Sequence, residues 1–195
     1  YYQKDYVSLY IKKDESIFEF NFKEKNHVFY SISIKRPITN IGNVVVNDGF
    51  FDLETAYGYG GFYTNSQDEA FLKRALIAYK EKCVNEKIIA EFIRFHPFNT
   101  FPVEHSDTLS FCSFDRDIVY VDLELTKDKR WSAYSKTTRN LLRNCEKLLM
   151  FDKYSNLEEF STLYNKTMQK NNAEEFYYFS KQYYKDIINK SLASL

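Results

Sequence analysis

The chain has 195 residues, 27 basic and 27 acidic, so its formal net charge is zero. That length suits one large domain or two small ones. The neutral balance leaves no bulk attraction to nucleic acid or to an anionic membrane, so any charge-driven binding has to be local.

Taken in order, residues 5–34 read as a run of strands. Phe18, Phe20 and Phe22 share one face while Glu19 and Asn21 share the other. Val28, Tyr30, Ile32 and Ile34 repeat the alternation after the turn-like Lys23–Asn26, which predicts an antiparallel pair. Pro37 ends the second run. Val44-Val45-Val46 and Phe50–Leu53 add strand material.

Next comes Tyr57-Gly58-Tyr59-Gly60-Gly61-Phe62, which holds three of only five glycines. A loop this glycine-rich in a glycine-poor chain implies a close approach by another backbone or by a ligand. Ser66-Gln67-Asp68-Glu69 then matches a capping box with Ser66 at the N-cap. Phe71, Leu72, Ala75, Leu76, Tyr79 and Cys83 follow at helical spacing, and Ile88–Phe95 reads as a short buried strand. Strand, glycine loop, helix and strand in sequence predict a βαβ unit.

Residues 96–116 are polar, contain Pro97 and Pro102, and read as a long loop. Val119, Val121, Leu123 and Leu125 alternate with polar partners as a strand. A helix is predicted from Asp128 to Lys147. Trp131, Tyr134, Thr138, Leu141, Leu142 and Cys145 lie on its apolar side, and Lys136, Arg139, Arg143 and Lys147 form an opposite stripe. Leu148–Tyr154 is a strand candidate. Ser155-Asn156-Leu157-Glu158 is a second capping box, opening a helix with Leu157, Phe160, Leu163, Tyr164 and Met168 inward. A last helix begins near Ser180 with Tyr183, Ile187 and Leu192. One strand and three helices after residue 127 bury their apolar faces poorly alone. The sequence therefore reads either as a fragment or as a chain whose second half docks on its first.

Several chemistries are excluded by spacing. The glycine loop lacks the Lys-Ser/Thr of a P-loop, and Tyr63 stands where a dinucleotide fingerprint needs its third glycine. Cys83, Cys112 and Cys145 are sparse, and with His27, His96 and His105 they give no zinc spacing, so no metal site is expected. No serine or cysteine has the activating neighbours of a catalytic triad. The start has no signal-peptide pattern and no run is long and apolar enough to span a bilayer, which points to the cytoplasm.

The remaining candidates carry two readings each. The glycine loop is a tight turn packed by aromatics, or a substrate wall where Tyr57 and Tyr59 stack and Gly60 and Gly61 admit a ligand. Glu91 and Arg94 are a structural ion pair, or Arg94 and His96 reach a cleft at the strand end. The basic stripe is a solvated helix face, or a surface for phosphate or RNA. Lys127–Lys147 holds seven basic residues against two acidic ones, which supports the second.

Three stretches together resemble the FemAB-like branch of the GNAT acyltransferases. They are Tyr57–Phe62 with its helix, Glu91-Phe92-Ile93-Arg94-Phe95-His96-Pro97, and Trp131-Ser132-Ala133-Tyr134-Ser135-Lys136-Thr137-Thr138-Arg139-Asn140-Leu141-Leu142-Arg143-Asn144-Cys145-Glu146-Lys147. The resemblance implies an α+β fold with a GNAT-like mixed, largely antiparallel sheet flanked by helices. Residues 1–125 would form a first unit and 126–195 the start of a second. It implies N-acyl or aminoacyl transfer to an amine of a cell-envelope sugar or peptidoglycan precursor. The donor would be acetyl-CoA or aminoacyl-tRNA, with tRNA as a further partner. Tyr57, Tyr59, Gly60, Gly61, Arg94 and His96 would line the cleft, and Lys136, Arg139 and Arg143 would meet phosphates of a nucleotide-linked precursor or donor. The coenzyme A loop is missing, since no glycine follows Gly61. No catalytic residue is assigned; Glu54, beside the loop, is the nearest candidate base. The alternative is a non-catalytic GNAT-fold module that binds a phosphorylated sugar or RNA.

Overall fold

A computed structural model describes residues 1–150 and 156–189. The first difference from expectation comes at once: Lys4–Val7 is a single helical turn, α1, rather than strand. The antiparallel pair then follows. β1 (Ser16–Glu24) and β2 (His27–Pro37) run in register from Ser16 opposite Lys35 to Glu24 opposite His27. The connection is only Lys25 and Asn26, and Lys25 takes the left-handed conformation that so short a turn demands (φ 51°).

β3 (Asn40–Ile41) and β4 (Val44–Val45) form a separate small hairpin. β5 (Phe51–Glu54) pairs antiparallel with β2, and β6 (Tyr63–Thr64) pairs with β2 further along. Helix α2 (Glu69–Asn85) leads to β7 (Ile88–Phe92), which lies parallel to β5. β5, the glycine loop, α2 and β7 thus form the expected βαβ unit. The main path of the sheet is β1-β2-β5-β7, and the fold is α+β with a largely antiparallel sheet flanked by helices.

Both faces of β2 are buried. On one side Phe29 joins Phe18, Leu53, Phe62, Phe71 and Tyr79 beneath α2. On the other, Ile32 and Ile34 meet Val7 and Ala56, with Tyr6 and Tyr10 packed around them. Each fully buried aromatic or aliphatic side chain contributes about 1.5–3 kcal/mol, so these two layers dominate the stability of the sheet.

Asp68, not Ser66, caps α2: its carboxylate accepts from the N–H groups of Ala70 and Phe71. Ser66 Oγ instead accepts from Asp68 N–H at 3.1 Å, which holds the capping residue itself. β7 is shorter and barer than expected. It ends at Phe92, only Ile88 is buried, and among the described residues no strand pairs with its outer edge. Within the expected long loop, α3 (Phe101–Glu104) and a 3-10 turn (Ser106–Thr108) form, with Phe101 driven into the core.

The chain divides into two compact units. One is Tyr1–Ser113 together with the segment from Ser180; the other is Phe114–Phe179. In the second, residues 117–125 make no strand, although their alternation predicts one. Among the described residues no strand pairs with them, and Val119 is 98% exposed. A period-two pattern makes a strand only where a neighbour satisfies its backbone groups.

The single helix expected over 128–147 is two: α4 (Lys127–Ala133) and α5 (Lys136–Leu148). Tyr134 and Ser135 are extended, and Ser135 Oγ accepts from Thr138 N–H, so the serine starts a new helix instead of continuing the old one. Helix α6 (Leu157–Lys170) is capped by Asn156, whose side chain accepts from Glu158 and Glu159 N–H. Ser155, the expected cap, lies outside the described residues, as does most of the strand candidate 148–154. Its described part, 148–150, is the end of α5 and coil. Helix α7 (Lys181–Asn189) belongs to the first unit, where Tyr184 is buried; Leu192 lies outside the described residues. Among the described residues no helix is long and apolar enough to cross a membrane.

Candidate functional site

The glycine loop and the stretch after β7 are laced together through main-chain atoms. Gly60 N–H donates to Arg94 O at 2.9 Å, and His96 N–H donates to Gly60 O at 3.2 Å. This makes a one-residue parallel bridge between Gly60 and Phe95, which extends the β5–β7 pairing past the end of both strands. Thr55 closes the gap between. Its hydroxyl donates to Phe92 O at 3.2 Å and accepts from Arg94 N–H at 3.0 Å.

That lacing explains the glycines. A Cβ on Gly61 would lie 2.5 Å from the Phe95 ring, and its φ of 96° is one that side chains avoid. A Cβ on Gly60 would lie 2.8 Å from Thr55 Cγ2. At Gly58 (φ 99°) it would meet the Tyr1 ring at 2.5 Å. The close approach that these glycines serve is with the chain's own side chains.

Five expected residues converge here: Tyr59, Gly60, Gly61, Arg94 and His96. The Arg94 guanidinium lies 5.3 Å from the centre of the Tyr59 ring, and the His96 ring lies 5.6 Å from it, edge on. His96 Nδ1 accepts from Phe98 N–H at 3.2 Å, so the neutral ring carries its proton on Nε2. Burial lowers its pKa from the usual imidazole value. Tyr57 sits at the loop's start with its carbonyl held by the Tyr6 hydroxyl at 2.5 Å.

Beside His96 lies a cavity of about 380 Å³, walled by Tyr2, Tyr63, Gln67, Phe98, Asn99 and Glu104 among others. Asn99 braces it by donating to Phe62 O at 2.7 Å and accepting from Phe101 N–H at 3.0 Å. Tyr2 donates to Gly60 O at 3.0 Å. Thr55, Tyr2, Tyr6 and Asn99 escape sequence reasoning. Only Asn99 carries a local signal, as a turn former between Pro97 and Pro102.

Two carboxylates near the site are already engaged. Arg36 holds Asp52 through two bonds of 2.8 and 3.0 Å and also pairs with Glu54 through Oε2, so one of the two Glu54 oxygens is engaged. Glu91 accepts from the Tyr79 hydroxyl at 2.7 Å and from Ser33 Oγ at 3.4 Å, beneath α2. Its hydrogen bonds come from hydroxyls rather than from the expected Arg94 partner. Burial pushes its carboxyl up to about 7, against the milder lowering by Tyr79 and Ser33.

In the second unit, the basic stripe is partly consumed by structure. Arg139 Nη1 donates to Ser132 O at 3.2 Å and to Tyr134 O, satisfying carbonyls at the end of α4. The Arg143 guanidinium lies 5.4 Å from the Trp131 ring centre and donates to Asn140 Oδ1 at 3.1 Å. Lys136 is exposed at the start of α5. Among the described residues no group of three or more His, Cys, Asp or Glu is arranged to hold a metal ion. No family model, curated protein or solved structure matches the chain.

Proposed function

We propose that the first unit forms the acceptor side of a FemAB-like acyltransferase. It acts in the cytoplasm on an amine of a cell-envelope sugar or peptidoglycan precursor, with acetyl-CoA or aminoacyl-tRNA as donor. One observation supports this reading most: the glycine loop and the Arg94–His96 stretch, distant in sequence, meet and bring Tyr59 and Arg94 against His96, which itself lines a cavity.

In such a transfer the amine nitrogen attacks the acyl carbonyl, the bond to the donor's sulfur or oxygen breaks, and the amine proton leaves. Positioning of the acceptor supplies much of the rate. Arg94 and the Tyr59 ring offer a cationic and aromatic wall for the acceptor. The His96 Nε2–H offers a hydrogen bond to an acceptor oxygen or to the oxyanion. His96 serves as a donor and not a base, because its Nδ1 lone pair already receives the Phe98 N–H. No coenzyme A loop is assigned within this sequence, since no glycine follows Gly61.

A non-catalytic module that binds a phosphorylated sugar or RNA is favoured by a different observation. The His96 Nδ1 lone pair receives the Phe98 N–H, and Glu54 is tied through Oε2 to Arg36, so no base stands poised beside the cavity. The two readings separate by experiment. Arg94→Ala and Tyr57→Phe are expected to lower acyl transfer to an amine acceptor at least about tenfold with the fold intact, the cost of losing one positioning contact. Parent rates in both variants overturn the cleft assignment. Salt-sensitive ligand binding without any transfer establishes the binding module instead.

A further inference from the structure

We infer that the hydroxyls of Tyr183, Tyr10 and Tyr6 form a one-way hydrogen-bond relay that ties α7 to the glycine loop and fixes the loop's conformation. Tyr10 and Tyr183 are then positioning residues for the candidate site. The proposal takes its functional consequence from the transferase reading, but its geometry does not depend on it.

The direction follows from counting protons. A tyrosine hydroxyl carries one proton and can accept more than one. Tyr6 gives its proton to the main-chain oxygen of Tyr57 at 2.5 Å, an acceptor that has none to return. In its contact with Tyr10, at 3.5 Å, Tyr6 is therefore the acceptor and Tyr10 the donor. Tyr10 has then used its own proton, so in the 2.8 Å contact with Tyr183 the donor is Tyr183. All three dipoles point from α7 toward the loop, and aligned hydrogen bonds polarise and strengthen one another.

The rings support the same path. Tyr10 lies between Tyr57 at 5.9 Å and Tyr183 at 5.7 Å, with Tyr6 at 5.3 Å. Burial raises Tyr10 and takes Tyr6 up to about 12, so both hydroxyls stay protonated at neutral pH. The relay ends on a peptide oxygen rather than a side chain. That oxygen belongs to the peptide joining Tyr57 to Gly58, whose φ of 99° is one that side chains avoid. A Cβ at Gly58 would lie 3.2 Å from the Tyr6 hydroxyl, so the loop backbone runs directly against the last link. Holding this peptide plane sets the direction in which the next residue, Tyr59, carries its ring to Arg94 and His96.

Amide hydrogen exchange tests the relay without acyl donor or acceptor, so its failure is separate from failure of the transferase reading. Tyr183→Phe and Tyr10→Phe delete one oxygen each and keep the rings. Both are expected to speed exchange in residues 57–62 about fivefold, the effect of one lost neutral hydrogen bond. The β1–β2 amides stay at parent rates, and the double variant exceeds Tyr10→Phe alone by little. If Tyr10→Phe loosens β1–β2 as well, Tyr183→Phe at the far end decides. Acceleration by Tyr183→Phe confined to 181–189, or spread over β1–β2, overturns the relay.

Discussion

Glu91 makes the stability of the first unit depend on pH in an unusual direction. Its carboxyl titrates at about 7 in the folded chain and at 4.5 when unperturbed, with burial as the main cause. The folded form therefore keeps a proton between those values that the unfolded form releases. Stability from this group is greatest below pH 4.5, falls as pH rises, and reaches its floor above 7. The full shift corresponds to about 3 kcal/mol. Water reaching the bare edge strand reduces that to about 2 kcal/mol. In Glu91→Gln the amide oxygen still accepts from Tyr79 and its NH₂ still reaches Ser33, but no charge forms. Urea unfolding from pH 4.5 to 8.5, followed by circular dichroism, checks this. The variant is expected to match the parent at pH 4.5 and exceed it by about 2 kcal/mol at pH 8. Taking the difference between the two proteins cancels the contribution of His96. Parallel curves, or a variant less stable than the parent at pH 8, refute the reasoning.

Two further substitutions test packing. Gly61→Ala drives a methyl into Phe95 at a φ that side chains avoid, and is expected to cost about 3 kcal/mol; Gly42→Ala, with nothing within 4 Å, costs about 1 kcal/mol from its φ of 58° alone. Equal effects in thermal melts would show that the Phe95 contact is unimportant. Arg139→Ala leaves carbonyls at the end of α4 without their donor and is expected to cost the second unit about 1–2 kcal/mol, with Arg139→Lys restoring only part, read from Trp131 fluorescence during unfolding.

Sequence reasoning reached the elements whose signals are local. The alternation of Phe18, Phe20 and Phe22 and the spacing from Phe71 to Tyr79 each reflect one face against one layer, and both appear as read. It failed where a competing group decides. Ser66 and Asp68 both suit an N-cap, and only the backbone shows that Ser66 holds Asp68 while Asp68 holds the helix. Val119–Leu125 has a strand's pattern but no paired neighbour among the described residues. The site was half legible. Glycine scarcity marked the loop, and the strand end pointed to Arg94 and His96. Tyr2, Tyr6 and Thr55 act through single oxygen atoms on distant main chain, and no spacing rule encodes such contacts.

The three arginines among the seven basic residues of 127–147 have a structural role apart from ligands. No residue of α4, α5 or α6 is buried, so apolar burial stabilises the second unit only weakly. Its turns need other ties, and arginine supplies them. Arg130 donates to the carbonyls of Leu123 and Leu125, at 2.9 Å to the first, which fastens the turn before α4. Arg139 fastens the end of α4, and Arg143 covers Trp131. A guanidinium suits this task because its five donors are rigidly forked and it stays charged at any working pH. Lysine, a compact charge with three donors on a flexible stem, holds several carbonyls less rigidly. The same geometry that makes arginine a good phosphate ligand is here directed at main-chain oxygens. Arg130, Arg139 and Arg143 therefore answer the need to close turns in a thinly packed helical unit, before any ligand is considered.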